Sequence, residues 1–179
     1  MPGPSAKAFN EFSRIVSPDR LGAPKVAESL EASPAERAAV ARRLGILAVD
    51  RLSAELVVKN IGGRVFRVEG PWQAAVQQAC VVTLEPVAGR LEGRLEASYE
   101  AGGGSGGAEV EVDPEAEDPA EALPPEGIDL GELVVQELAV ALDPYPRAPG
   151  AAVPEEYRPA DEGAERGPFA ALKALKVKK

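Results

Sequence analysis

The chain has 179 residues, with 20 Lys+Arg against 29 Asp+Glu, a formal charge of −9, no histidine and one cysteine. These counts exclude Ser-His-Asp and Cys-His catalysis, histidine-ligated metal and an internal disulfide, and they argue against a protein that coats nucleic acid with its whole surface. Apolar residues make up 45% but aromatics only 4%, and there are 17 Pro and 18 Gly, so one domain with a core of Ala, Val and Leu is expected, plus loops and tails. With no signal-like or membrane-spanning apolar run, a soluble cytoplasmic protein without membrane contact is the expectation.

In chain order, residues 8–22 hold a short apolar run, Phe12 to Val16, and then a Pro-Asp turn. This predicts a strand at about 11–17, with Phe9 and Phe12 contributing to the core. Residues 33–45 carry helix punctuation at both ends. Ser33 is the N-cap, Pro34 takes the first helical position, Glu36 completes a capping box and Gly45 stops the helix. Arg37, Arg42 and Arg43 fall on its wetter side. A solvated face with cations near the helix C-terminus outweighs an RNA or acidic-partner contact there.

From 46 to 100 the apolar period becomes two. Residues 47–59 form a strand pattern and Asn60-Ile-Gly-Gly63 a turn. Phe66, Val68, Gly70, Trp72, Ala74, Val76, Gln78, Cys80, Val82 and Leu84 then share a largely apolar face. A half-buried sheet is expected, with Gly70-Pro71 as a bend between two strands and Glu85-Pro86 as a break. Residues 90–100 alternate strictly: Leu91, Gly93, Leu95, Ala97 and Tyr99 point one way, and Arg90, Glu92, Arg94 and Glu96 the other. Short turns favour an antiparallel meander. Cys80 reads as a small buried core residue, because a reactive thiol needs an adjacent cation and none is close in sequence.

Residues 101–127 open on a glycine-rich joint and continue as an acidic run that cannot bury enough apolar surface to order itself. A short strand at 110–112 is the one element expected there. Residues 129–142 are a second helix, capped by Asp129 with Glu132 at its third position. Leu130, Leu133, Val134, Leu138, Ala141 and Leu142 form its apolar stripe, expected to close the core against the sheet. Residues 144–167 are a polar, Pro-rich tail. The last stretch, 168–179, reads as an amphipathic helix, with Phe169, Leu172 and Leu175 on one side and Lys173, Lys176, Lys178 and Lys179 around them. This basic cluster on an acidic chain is the candidate contact for RNA phosphates or a protein groove, weighed against docking on its own domain.

The expected architecture is α+β: an antiparallel sheet of about five strands that could curl toward a barrel, packed with the 129–142 helix. It comprises a domain at 8–145 containing the flexible acidic insert 101–127, a linker at 146–167 and a C-terminal arm at 168–179. No catalytic set, EF-hand spacing or phosphate-binding glycine loop is evident, so a protein without enzymatic activity or cofactor is expected.

Three segments carry a family resemblance. Cys80-Val-Val-Thr-Leu-Glu-Pro86 is similar to the central motif of the YceD family, bacterial large-ribosomal-RNA-accumulation proteins, which often reads Cys-x-x-Cys-Leu-x-Pro. Ile128-Asp-Leu-Gly-Glu-Leu-Val-Val-Gln-Glu-Leu-Ala-Val-Ala-Leu-Asp-Pro-Tyr-Pro146 resembles its second motif, and Gly167-Pro-Phe-Ala-Ala-Leu-Lys-Ala-Leu-Lys176 its third. The opening Glu11-Phe-Ser-Arg-Ile-Val also fits, and the variant looks alphaproteobacterial. The resemblance marks Cys80, Leu84, Pro86, Asp129, Glu132, Glu137 and Pro144 as motif positions. Thr83 stands where the family pattern has a second cysteine, so metal or redox chemistry through a cysteine pair does not carry over. The resemblance implies a role in 23S ribosomal RNA accumulation and large-subunit biogenesis. The implied partner is a large-subunit precursor, a ribosomal protein or an assembly factor. The rivals are a generic protein-interaction module and, more remotely, an RNA-processing enzyme.

Overall fold

The computed structural model describes residues 11–102 and 120–157. Phe9, the body of the acidic insert with 110–112, and the arm residues Phe169, Leu172, Lys173, Leu175, Lys176, Lys178 and Lys179 lie outside the described residues. The chain divides into two units, Met1–Ala148 and Pro149–Lys179. In the second, the described residues form one 3-10 turn, Glu155–Tyr157.

The first unit runs β1 (Ile15–Val16), α1 (Pro18–Leu21), β2 (Lys25–Glu31), α2 (Pro34–Leu44), β3 (Ala48–Gly62), β4 (Val65–Ala79), β5 (Pro86–Glu100), β6 (Glu121–Ala122), β7 (Ile128–Asp129) and α3 (Leu130–Ala141). The main sheet has the order β2-β3-β4-β5-β6. Its first four strands are antiparallel neighbours, and β6 pairs parallel with Tyr99 and Glu100. The sheet is therefore mixed and open, an α+β arrangement that does not close into a barrel.

About five strands were expected, and among the described residues the main sheet has five, with different membership. The expected strand at 11–17 shrinks to β1, which joins β7 in a separate pair, Ile15↔Asp129 and Val16↔Ile128. Strand β2 was missed, because Val26 and Leu30 are its only large apolar residues and Glu28 interrupts their alternation. The expected bend at Gly70-Pro71 is absent, and β4 runs straight through it, in register with β5 from Val65↔Glu100 to Ala79↔Pro86. Gly70 is needed for close approach: a Cβ there would lie 2.0 Å from the Glu55 carbonyl oxygen. Pro71 has no N–H to donate, and the β3–β4 ladder steps from Ala54↔Trp72 to Val57↔Glu69 around it. The dipeptide has turn chemistry locally, but pairing on both sides holds it extended.

One face of the sheet is buried. Val26, Leu30, Ala54, Leu56, Val58, Phe66, Val68, Trp72, Ala74, Val76, Leu95 and Tyr99 all point to it. Val40 and Ala41 of α2, Leu130, Val134, Val135 and Leu138 of α3, and Phe12, Val16 and Leu21 join the same core. Each fully buried Leu or Val contributes ~1.5–3 kcal/mol, so the aliphatic residues carry the core that few aromatics are there to fill. The stripe on α3 is shifted slightly from expectation: Val135 is buried and Ala141 is exposed. The opposite sheet face is polar.

The helix ends follow the expected chemistry. Ser33 N–H donates to the Glu36 carboxylate at 2.8 Å, Glu36 N–H donates to Ser33 Oγ at 3.4 Å, and Gly45 takes the left-handed conformation (φ 66°) that ends α2. Two of the three α2 arginines are used internally. Arg37 donates to the Ala32 carbonyl at 2.9 Å, and Arg43 bridges to Glu132 at 2.6 Å and Glu11 at 3.2 Å.

Candidate functional site

The two motif segments of the first unit meet at one end of the sheet. Strand β4 stops at Ala79 and β5 starts at Pro86, so Cys80 through Glu85 form the hairpin connection. Cys80 thus opens a turn and is not a strand residue on the apolar face. Its backbone N–H donates to the Glu85 carbonyl at 2.8 Å, and Leu84 N–H donates to the Cys80 carbonyl at 2.9 Å. Leu84 sits at φ 62°, a left-handed conformation unusual for a branched apolar residue. Its side chain is 77% exposed.

After α3, Asp143 and Pro144 end the helix, and the chain returns along the turn. Val81 N–H donates to the Pro146 carbonyl at 2.9 Å, and Gln78 Nε2 to the Asp143 carbonyl at 2.9 Å. Ala148 N–H donates to Cys80 Sγ at 3.3 Å. Val82 and Thr83 N–H groups point at the same sulfur, each at 3.4 Å. The thiol is fully buried, but its neighbours are N–H donors where a plain core position would offer hydrocarbon. Those donors favour the thiolate. The Ala148 N–H, then Thr83, draw the Cys80 pKa down to about 6 against the opposing effect of burial. No cation stands beside Cys80 in the sequence; the charge-stabilising groups are chiefly backbone amides, one of them brought from the far end of the domain.

Thr83, where the resembled motif has a second cysteine, has a structural use of its own. Its hydroxyl accepts from Glu85 N–H at 3.4 Å and faces the Glu85 carboxylate at 3.3 Å. Among the described residues, no group of three His, Cys, Asp or Glu side chains is placed to hold a metal ion.

The remaining motif positions divide by what they touch. Asp129 is an N-cap with a second duty. Oδ1 accepts from Gly131 N–H at 3.1 Å and Glu132 N–H at 3.3 Å, and also from Arg14 N–H at 2.8 Å. Oδ2 accepts from Ser13 Oγ at 2.7 Å. One carboxylate thus starts α3 and fastens the N-terminal segment to it. Gly131 completes the junction, since a Cβ there would lie 2.4 Å from the Phe12 carbonyl oxygen. Glu132 receives the bidentate guanidinium of Arg43, which holds its carboxyl below the usual carboxylate range. Glu137 is half-buried on α3, Pro144 is exposed beyond it, and Pro86 opens β5.

The turn and the returning segment each expose apolar side chains: Leu84 (77% exposed) and Val81 (46%) on the turn, and Tyr145 (72%) on the segment. Pro146 is buried, and Tyr145 N–H is held by Asp143 Oδ1 at 2.8 Å. Local sequence does not signal the exposure of these side chains. The Pro-x-Pro step after the helix signals a stiff extended segment, but nothing local says where it lands.

One concavity lies on the polar face of the sheet. Its walls include Glu31, Glu55 and Glu92 against the single cation Arg51. Three carboxylates to one guanidinium repel phosphate, so this hollow is a poor RNA track.

Residues 68–176 match the family model described as Large ribosomal RNA subunit accumulation protein YceD. No curated protein and no solved structure matches the chain.

Proposed function

The chain belongs to the large ribosomal RNA subunit accumulation protein YceD family, and from that premise we propose that it is a non-enzymatic factor of large-subunit biogenesis that works by binding. The observation that carries this reading is the family match over both the Cys80 turn and the returning Asp143–Ala148 segment, which are hydrogen-bonded to each other and leave Leu84, Val81 and Tyr145 exposed. Leu84, Tyr145 and Val81 would meet an apolar patch of a ribosomal protein, an assembly factor or a large-subunit precursor.

Two further contacts belong to the same proposal. The acidic run in 109–126 would hold a Lys/Arg-rich ribosomal protein electrostatically before delivery. The lysines at 173, 176, 178 and 179 would touch RNA phosphate, with Phe169, Leu172 and Leu175 against protein. The work is placed in the cytoplasm, where ribosomes are assembled. No described helix is long and apolar enough to cross a membrane.

The test is depletion of the protein in its own host, with the ratio of large- to small-subunit ribosomal RNA as readout. A selective fall in the large-subunit RNA, restored by the intact gene, is expected. An unchanged ratio would overturn the proposal. Purified protein that processed precursor RNA unaided would overturn its non-enzymatic part.

A further inference from the structure

Strand β5 has fifteen residues, and only Tyr99 and Glu100 are paired on its outer side, with β6. Among the described residues, the edge from 86 to 98 has no strand beside it. Natural sheets guard such an edge by keeping it short, bulging it, covering it, or placing charged residues, lysine above all, or proline along it; charges of both signs, as on β5, repel an unrelated strand less than a run of one sign does. Here the pairing with β4 runs without a register shift from one end to the other. The segment has no lysine, and its one proline is at the first position. By comparison, the edge strand on the other side of the sheet, β2, has seven residues.

The sequence of this edge is complementary to itself. Arg90, Glu92, Arg94 and Glu96 stand on the polar face, and Leu91, Gly93 and Leu95 on the core face. When the strand is laid antiparallel against a copy of itself about Gly93, Arg90 faces Glu96 and Glu92 faces Arg94. By symmetry each pair occurs twice. Leu91 faces Leu95 on the other side of the sheet. Sliding the copy by two residues in either direction sets Arg94 or Glu92 against itself. Opposite charges directly across a strand pair stabilise it and like charges destabilise it, so this register is selected. Moving the axis to residue 95 or 91 keeps one kind of opposite pair clear of β6, Arg94 with Glu96 or Arg90 with Glu92, against two kinds at Gly93; the register at 95 also sets Arg90 against Glu100, whose outer side β6 already occupies. Arg94 and Glu96 remain 64% and 61% exposed even while they approach Glu69 and Arg67. Leu91 is only partly covered by its own core.

We propose that a second copy of this chain docks on the free edge of β5, antiparallel and about a two-fold axis at Gly93, so that two sheets become one. The interface is isologous, as closed two-fold dimers require. The occupant is a second copy, and not an unrelated strand, because the charge order of the edge matches its own reversal. The inference stands independently of the function proposed above.

The experiment is sedimentation of the full chain across a wide concentration range, with the single variants Arg94→Glu and Glu92→Arg and the double swap E92R/R94E. The wild type is expected to dimerise, and each single variant to lose at least tenfold in dimer affinity, since like charges then face each other twice per interface. The double swap should restore association. The Arg94–Glu69 contact is lost in both R94E and the double variant, so recovery reports pairing between copies. Circular dichroism checks that every variant is folded. A wild type that stays monomeric, or dimers indifferent to the charge changes, would overturn the proposal. Hydrogen exchange separates the alternative occupant. Protection of the 88–98 amides should rise with concentration, whereas equal protection in a dilute monomer would assign the edge to another segment of the same chain.

Discussion

The backbone N–H of Ala148 donates to the sulfur of Cys80 across 3.3 Å, although 68 positions separate the two residues. That bond closes the path from α3 back to the β4–β5 turn. It also changes what the cysteine is, because a buried thiol among hydrocarbon stays protonated and this one is surrounded by N–H donors.

The thiol should titrate with a midpoint near 6. Its folded value lies below that of an unfolded thiol, about 8.5. The ionised form therefore adds stability that is fully present above the unfolded value and lost as pH falls toward about 6. Thiolate absorbance against pH, with Cys80→Ser as the blank, measures it. A midpoint in the ordinary thiol range would mean that the Ala148 contact does not form in solution.

Acid should weaken the domain partly through Glu36. The hydrogen-bonded Arg14 guanidinium pulls this carboxyl down to about 2, with help from Ser33. The sign is that of a depressed carboxyl: the stability is present above the unfolded value, about 4.3, and disappears as pH falls to about 2. Glu36→Gln should cost about 1 kcal/mol at neutral pH, since the pair is partly exposed and solvent screens it. Urea melts of both proteins should converge at low pH. A gap that persists there would assign the loss to something other than the ion pair.

Gly70→Ala should cost more than ~3 kcal/mol, because the new methyl would overlap the Glu55 carbonyl, with no flexible side chain to give way. Gly63→Ala, at φ 60° with open space around it, should lose only ~1–2 kcal/mol from the left-handed backbone. Denaturant midpoints of the two variants rank them. Equal losses would show that β4 can shift away from β3 at this point.

Leu84→Asp and Tyr145→Ala should leave the melting temperature nearly unchanged, because both side chains are exposed. They should lower large-subunit ribosomal RNA in a host depleted of the wild-type protein. Full complementation by both variants would remove these side chains from the binding site.

Elements that depend on neighbouring residues were legible from the sequence. The caps of α2 and α3 are contacts within a few positions, so Ser33, Glu36, Gly45 and Asp129 announce them. The even apolar positions of β4 follow from the two-residue period and are buried from Phe66 to Val76. The motif order alone led to the family. Tertiary structure decided what depends on pairing between distant segments. It carried β4 through a Gly-Pro step, because strands on both sides supply hydrogen bonds that outweigh the local preference for a turn. It placed β1 with β7, where Asp129 serves two segments at once. It also surrounded Cys80 with amides, one of them Ala148, and, among the described residues, left the edge of β5 from 86 to 98 without a neighbouring strand. Composition and spacing encode local chemistry, whereas the donors around a buried sulfur and the partner of a strand edge are set by which distant segments share the core.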